Sequence, residues 1–240
     1  MEFSMSTTAL FKTNVFIKDW EKDDQWNDSI KTIVNASLMD HVAKTGELKK
    51  HSLEDGIPFF TEENMERFEE IKELFEMFVE GFWDLHLSYA DENPESKFIT
   101  RNDIANALMK ETGKVPLMEK GDHKKLHTHK RVSAFAIFYL DDVDNEKDGG
   151  ILRLHDPSFN NLDYFHGHIC KDIPTVKHRM IVAPTSVWHE VSPYFGDETR
   201  TTVVINLHGK DLDDVLTEKS KGFELTDIKH ETGTHARLES

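Results

Sequence analysis

At 240 residues the chain has the length of one generous domain, and its 45 acidic against 29 basic residues leave a net charge of −16. Such a field repels phosphate backbones and argues against nucleic acid as a partner. Cys170 is the single cysteine, which excludes an internal disulfide and any structural zinc site built from several thiolates.

No apolar run approaches the roughly 20 residues of a membrane span. The stretch Ala9 to Phe16 is interrupted by Lys12 and Asn14, so neither a membrane partner nor a signal peptide is expected. The expectation is a soluble protein of a reducing, cytoplasmic compartment. In chain order, Thr8 to Ile17 carries Leu10, Phe11, Val15, Phe16 and Ile17 and predicts an edge strand. Trp26, Ile30, Ile33, Val34, Leu38 and Val42 then recur at helical spacing, with Gly46 as the stop. A second helix is predicted from Thr61, which caps it, with Glu62 and Glu63 in the first turn where the helix dipole favours acids. Its stripe of Phe68, Ile71, Phe75, Phe78 and Phe82 reads as the packing face of a helix that backs a sheet, in preference to a ligand surface. A third helix starts at Thr100, with Asp103 completing a capping box, and runs through Ile104, Ala107 and Leu108 to a stop near Gly113.

Beyond about Val115 the periodicity changes. Val132 to Leu140, Ile151 to Leu154, Arg179 to Val182, Val187 to Val191 and Thr201 to Leu207 are short β-rich runs separated by Gly, Asp, Asn and Pro. Helices followed by strands predict an α+β domain, and strands that need covered edges predict a barrel or jelly-roll-like double sheet. The expected division of a single domain over 1–240 is helical support to about 114, a β core over about 115–209, and a charged extension over 210–240.

Alternate residues of a strand share a face, so His127 and His129 project together if the extended chain begins there. Arg131, Ser133, Phe135, Ile137 and Tyr139 follow on the same face in the absence of a bulge. With a third imidazole from distant sequence, His189, they would form a facial metal site with open positions, and neutral imidazole suits iron, zinc, copper or nickel. The alternative is an HxH that occurs by chance among 14 histidines on a solvated strand, and a His189 that is a core residue beside Trp188. Arg200 opens the next strand and alternates with Thr202, Val204 and Asn206, which predicts an inward guanidinium flanked by a hydroxyl and an amide. A buried charge must be paired. No acid alternates with Arg200 on its strand, which leaves room for a ligand carboxylate held bidentately or for an ion pair with a distant Asp or Glu.

Three segments in this order resemble the 2-oxoglutarate- and iron(II)-dependent oxygenases of the prolyl-hydroxylase-like branch. They are the HxH before a strand ending Phe138-Tyr139-Leu140-Asp141, then Gly149-Gly150-Ile151-Leu152-Arg153-Leu154, then His189-Glu190-Val191-Ser192-Pro193 with Arg200 following. The resemblance covers Leu126 to His208, about a third of the chain. It implies a double-stranded β-helix (jelly-roll or cupin-like) core backed by N-terminal helices, with Fe(II) held by His127 and His189. It further implies 2-oxoglutarate gripped at its far carboxylate by Arg200 with help from Tyr139; Thr202 and Asn206, which share the Arg200 face by alternation, are the further candidates for binding it. Dioxygen is the remaining co-substrate, and the reaction implied is hydroxylation of an unactivated C–H bond of a small molecule or of a protein or peptide side chain.

The family carries a carboxylate two residues after the first histidine, where this chain has His129. Three readings follow: His129 is itself the third ligand, Asp122 or Asp156 supplies the carboxylate, or the site is halogenase-like or inactive. On the substrate side Arg153, His155 and Asp156 are candidates, equally explained as a solvated loop, and Trp188 is expected to pack outside the cleft. The rival from another class is a cupin-like metal-binding protein without oxidative turnover, which has no need of the Arg200 and Tyr139 carboxylate grip. A third is an interaction domain with a decayed site.

Overall fold

The computed structural model describes residues 13–45, 60–90, 98–111, 113–129, 132–156, 170–210 and 212. The predicted segment Thr8 to Lys12, the stop at Gly46, Arg131 and residues 213–240 of the extension lie outside them. The first strand, β1 (Phe16–Asp19), is an edge strand as expected and begins later than the β-prone run. Helix α1 (Asp24–Thr45) starts where Asp23 Oδ1 accepts from the Trp26 amide at 2.8 Å, and it buries Trp26, Ile30, Ile33 and Val34.

Thr61 caps as predicted, accepting from the Asn64 amide, but the helix it opens is short. Helix α2 (Glu62–Arg67) ends at Phe68, whose φ of −128° and ψ of 109° are extended, and α3 (Glu69–Ala90) begins beyond it. The one predicted helix is therefore two. Helix α2 buries no residue, whereas α3 buries Ile71, Leu74, Phe75, Phe78 and Phe82. Only the partly buried Met65 of α2 reaches the core, so little packing energy holds α2 in line with α3, and helices gain most of their stability from such packing. Helix α4 (Arg101–Leu108) shows the predicted capping box between Thr100 and Asp103 and stops at Met109, short of Gly113.

The remaining elements are β2 (Leu117–Met118), β3 (Lys124–His127), β4 (Ala134–Tyr139), α5 (Asn145–Asp148), β5 (Leu152–His155), β6 (Cys170–Ile173), β7 (Arg179–Pro184), β8 (Trp188–Val191) and β9 (Arg200–Leu207). One sheet has the order β1-β7-β4-β9-β2 and the other β3-β8-β5-β6, with antiparallel neighbours in both. From β2 to β9 the chain passes back and forth between the two sheets, which makes the β half a double-stranded β-helix. Phe135, Ile137 and Tyr139 of β4 meet Leu152, Leu154 and Ile173 of the smaller sheet between the two layers. Ala134, Ala136 and Phe138 point the other way, into the cluster formed with α1, α3 and α4. Buried on both faces, β4 is apolar throughout instead of alternating.

Three strands escaped the sequence reading. β2 is two residues long, and β3 (KKLH) and β6 (CKDI) are largely exposed edge strands with no apolar alternation. A continuous extended segment from His127 to Tyr139 is also not what forms. The chain leaves β3 in the smaller sheet after His127 and enters β4 in the larger one at Ala134, so His129 lies between strands. Among the described residues no helix is long and apolar enough to cross a membrane.

Helix α3 approaches the larger sheet at Gly81. A Cβ added there would lie 2.8 Å from Val182 Cγ2, 3.0 Å from Met180 Sδ and 3.2 Å from Phe16 Cε1. Val182 and Met180 are fully buried in β7 and have no room to yield. Gly81→Ala is expected to lower the urea midpoint of unfolding. Overpacking costs about 1–3 kcal/mol, which outweighs the ~1 kcal/mol of helix propensity gained; a raised midpoint would refute this close contact.

Candidate metal centre

Strands β3 and β8 pair antiparallel with His127 directly opposite His189, and Leu154 of β5 flanks His189 on the other side. Lys124 pairs with Val191, so β3 spends three steps (127 − 124) where β8 spends two (191 − 189), a bulge in β3. His129, beyond the end of β3, stacks on Phe135 with centroids 4.8 Å apart and planes 10° off parallel. Its main-chain carbonyl accepts from the Thr185 hydroxyl. Ring centroids lie 4.3 Å apart for His127 and His189, 5.1 Å for His129 and His189, and 5.6 Å for His127 and His129. Each residue offers one nitrogen, and these atoms all lie within 4.8 Å of one another.

The other ring nitrogens are occupied by acceptors. His127 Nδ1 is 2.6 Å from the Lys125 carbonyl, His189 Nδ1 is 3.2 Å from the Val187 carbonyl, and His129 Nδ1 is 2.8 Å from Asn206 Oδ1. A carbonyl oxygen only accepts, so these three contacts favour the tautomer with the proton on Nδ1 and the lone pair on Nε2. The Nε2 atoms of His129 and His189 stand 3.2 Å apart. Two lone pairs at that distance repel unless a proton or a cation lies between them. Burial disfavours the proton: it pulls the His129 pKa down to about 4 against the opposing hydrogen bond from Asn206, and pulls that of His189 to about 3 with help from the neighbouring His127. A cation with three neutral nitrogen donors therefore fits these residues. Neither Asp122 nor Asp156 belongs to the group of three, and the Asp122 carboxylate instead accepts from the Glu119 amide at 2.8 Å.

Arg200 points inward as predicted and is 3% exposed. Its Nη1 donates to the Gly150 carbonyl and lies 3.4 Å from the Thr175 hydroxyl, and its guanidinium sits 5.5 Å from the centre of the Tyr139 ring. Nε has no hydrogen-bond partner, and among the described residues no carboxylate pairs with this arginine. Burial lowers its proton affinity, with Tyr139, Tyr194 and, more weakly, the Asp141 carboxylate opposing, yet a guanidinium stays charged at neutral pH. Burial likewise raises the Tyr139 pKa and keeps its phenol protonated. Gly150 has φ of +68°, and a Cβ there would stand 3.0 Å from Arg200 Nη1, so the second glycine of the pair makes room for the guanidinium.

Across from Tyr139, Thr202 is buried and 3.4 Å from the Pro116 carbonyl. Arg200, Tyr139 and Thr202 thus gather at one end of the inner face, while Asn206 stands at the histidines. Thr175 was not anticipated, since nothing in Pro174-Thr175-Val176 distinguishes it from a turn. Arg153 and His155 are strand residues of β5 and not part of a loop. Arg153 holds Asp172 through two bonds of 2.7 and 2.9 Å, and His155 Nε2 is 3.3 Å from Glu190 Oε1. Trp188, 38% exposed, faces away from His189 as expected.

No protein-family model matches the chain, and no curated protein does. Solved structures that resemble it include a Pseudomonas putida prolyl-4-hydroxylase, at 20% identity and TM-score 0.38 over 55% of this chain and 64% of that one. A Trichoplax adhaerens prolyl hydroxylase in complex with a hypoxia inducible factor oxygen degradation domain peptide fragment matches at 14% identity and TM-score 0.47, over 82% of this chain and 84% of that one. A Burkholderia pseudomallei oxidoreductase of the 2OG-Fe(II) oxygenase family matches at 16% and 0.32, over 40% and 41%. The chain covers less than two thirds of the Pseudomonas putida structure. At these identities the likeness concerns the fold, which the strand order of the chain itself defines.

The depressed histidines make a prediction about pH. Unfolded imidazoles titrate near 6.5. His129 and His189 do so well below that in the folded, metal-free protein, so the unfolded state binds more protons between those values. Their contribution to stability is complete above about pH 6.5 and is lost as pH falls through about 4 for His129 and about 3 for His189. The urea midpoint of chelator-treated protein should drop through this window more steeply than that of a His129→Phe/His189→Leu double variant; parallel profiles would contradict the assigned burial.

Proposed function

We propose that the chain is a non-haem Fe(II)- and 2-oxoglutarate-dependent dioxygenase that hydroxylates an unactivated C–H bond of a small molecule or of a protein or peptide side chain. The observation that carries this reading is the buried Arg200, with a partnerless Nε and no described carboxylate within salt-bridge distance, on the same inner surface as three imidazoles that bring one nitrogen each within 4.8 Å of one another. A metal site alone has no use for a desolvated guanidinium, and burying one without a counter-ion is expensive.

In this reading His127, His129 and His189 hold the iron through Nε2. The bound iron, with dioxygen and 2-oxoglutarate, supplies the oxidising power, the co-substrate leaving as succinate and carbon dioxide. The protein contributes position and exclusion of water. Arg200 pairs with the far carboxylate of the co-substrate, and the protonated Tyr139 phenol and the Thr202 hydroxyl face the same end. Phe135, Ile137, Leu152 and Leu154 keep the surroundings apolar, which strengthens every electrostatic contact within. With His129 in place of a carboxylate the centre is one unit more positive, so it holds a divalent ion less tightly and draws an anionic co-substrate more strongly.

The all-imidazole donor set equally favours zinc or nickel, and on that observation the second reading is a cupin-like metal protein without oxidative turnover. Anaerobic titration with Fe(II) and 2-oxoglutarate separates the two. Formation of a visible metal-to-ligand charge-transfer band, lost in Arg200→Ala with circular dichroism unchanged, is the expected outcome. A co-substrate at 100 times its dissociation constant should also stabilise the iron-loaded protein by about 2.7 kcal/mol. Absence of both effects, with zinc alone raising the melting temperature, points to the cupin-like reading. His129→Ala is expected to weaken Fe(II) or Co(II) binding by at least about tenfold; unchanged affinity would remove His129 from the ligand set and return the question to the carboxylates.

A further inference from the structure

The three histidines do not obtain their Nδ1 acceptors in the same way. His127 and His189 each use the carbonyl two residues earlier in the chain, Lys125 within β3 and Val187 just before β8. That is a local device, available to any histidine whose strand geometry brings its ring back over its own backbone. His129 lies beyond β3 and turns instead to a side chain 77 residues away, the Asn206 amide oxygen at 2.8 Å. β9 places Asn206 directly across from Phe135, the residue on which the His129 ring stacks. The ring plane is thus set by Phe135 and its rotation within that plane by Asn206.

We infer that Asn206 is a positioning residue that holds His129 in its Nδ1–H tautomer and so leaves the Nε2 lone pair directed at His189 Nε2. This assignment differs from a place in the co-substrate pocket, the role the sequence suggested for Asn206. The amide has two ends, and they do opposite things. With the oxygen facing His129 it accepts from Nδ1–H and Nε2 is a donor atom for a metal. With the amino group facing it, Nδ1 would accept, the proton would move to Nε2, and the ligand atom would be blocked. The third ligand of the cluster therefore depends on a group that neither the HxH nor the late histidine supplies. The consequence for metal affinity rests on the metal-site reading above; the tautomer assignment does not.

Aspartate at 206 keeps an oxygen acceptor and leucine removes it at similar volume, so Asn206→Asp and Asn206→Leu separate hydrogen bonding from packing. The test uses long-range imidazole ¹H–¹⁵N correlation spectra of metal-free full-length protein near pH 7, with His129 assigned by the loss of its signals in His129→Ala. The expected result is the Nδ1–H tautomer in the wild type and in Asn206→Asp, and a mixed or Nε2–H form in Asn206→Leu. In Co(II) titrations Asn206→Leu should lose about 10- to 100-fold in affinity, Asn206→Asp should retain it, and Asn206→Leu should have no further effect in a His129→Ala background. A wild-type His129 that is Nε2-protonated, or an unchanged tautomer in Asn206→Leu, overturns the inference; the wild-type spectrum decides this even if the leucine variant does not fold. The expected tautomers without Co(II) binding in any variant would support the Asn206 assignment while overturning the metal reading of the site.

Discussion

The pairing of β3 with β8 is the contact on which the site depends, because it sets His127 opposite His189, 62 residues further along the sequence. Once that register is made, both rings face the space between the sheets and each finds an acceptor for Nδ1 two residues earlier in the chain. The bulge in β3 is part of the same constraint. Without the extra residue Lys124 and His127 would not both keep their partners, and a one-residue slip sends every side chain of a strand to the opposite face. Desolvation then gives the cluster its chemistry: the imidazoles of His129 and His189, kept neutral by burial, are lone-pair donors at neutral pH.

Arg200 is the complementary constraint. A guanidinium removed from water needs its donors satisfied, and here the Gly150 carbonyl, the Thr175 hydroxyl and the Tyr139 ring meet only part of that need. The orphaned Nε is a cost carried by the fold at a place where the surroundings are otherwise well packed. Costs of this kind concentrate where a ligand completes the interaction. Gly150 shows that the room is provided deliberately by the backbone, since its positive φ and the nearby Nη1 exclude a side chain.

The helices serve this arrangement at a distance. β4 is covered on its outer face by α3 and contributes Phe135, Ile137 and Tyr139 to its inner face. One short strand thereby stacks His129, lines the cleft and supports Arg200. The close approach of α3 at Gly81 lets the larger sheet be buried on that side, so β4 is held from both directions and its inner residues have little freedom to move.

Much of this was legible in the chain. Caps at Thr61, Thr100 and Asp103 depend on bonds within one turn, and the two-residue alternation of Arg200, Thr202, Val204 and Asn206 is local geometry, so both could be read directly. His189 and Arg200 stood out because a short loop joins the ends of two β-rich runs. The break at Phe68 was not legible, because Thr61 and the acids after it signal a helix start that runs without any Gly or Pro into the stripe of α3. Nor were β3 and β6, whose exposed edge positions impose no pattern on their residues. The continuous strand drawn through His127 and His129 failed for a related reason: the crossing between sheets occurs between them and β4, and no residue type announces it. The amino-acid sequence determined which chemistry is present, three imidazoles and a guanidinium on or beside β-forming segments. Only the tertiary structure decided that Asn206 serves His129 and that Gly150 and Thr175 hold Arg200, because those partners come from strands and turns that meet only when the two sheets close on one another.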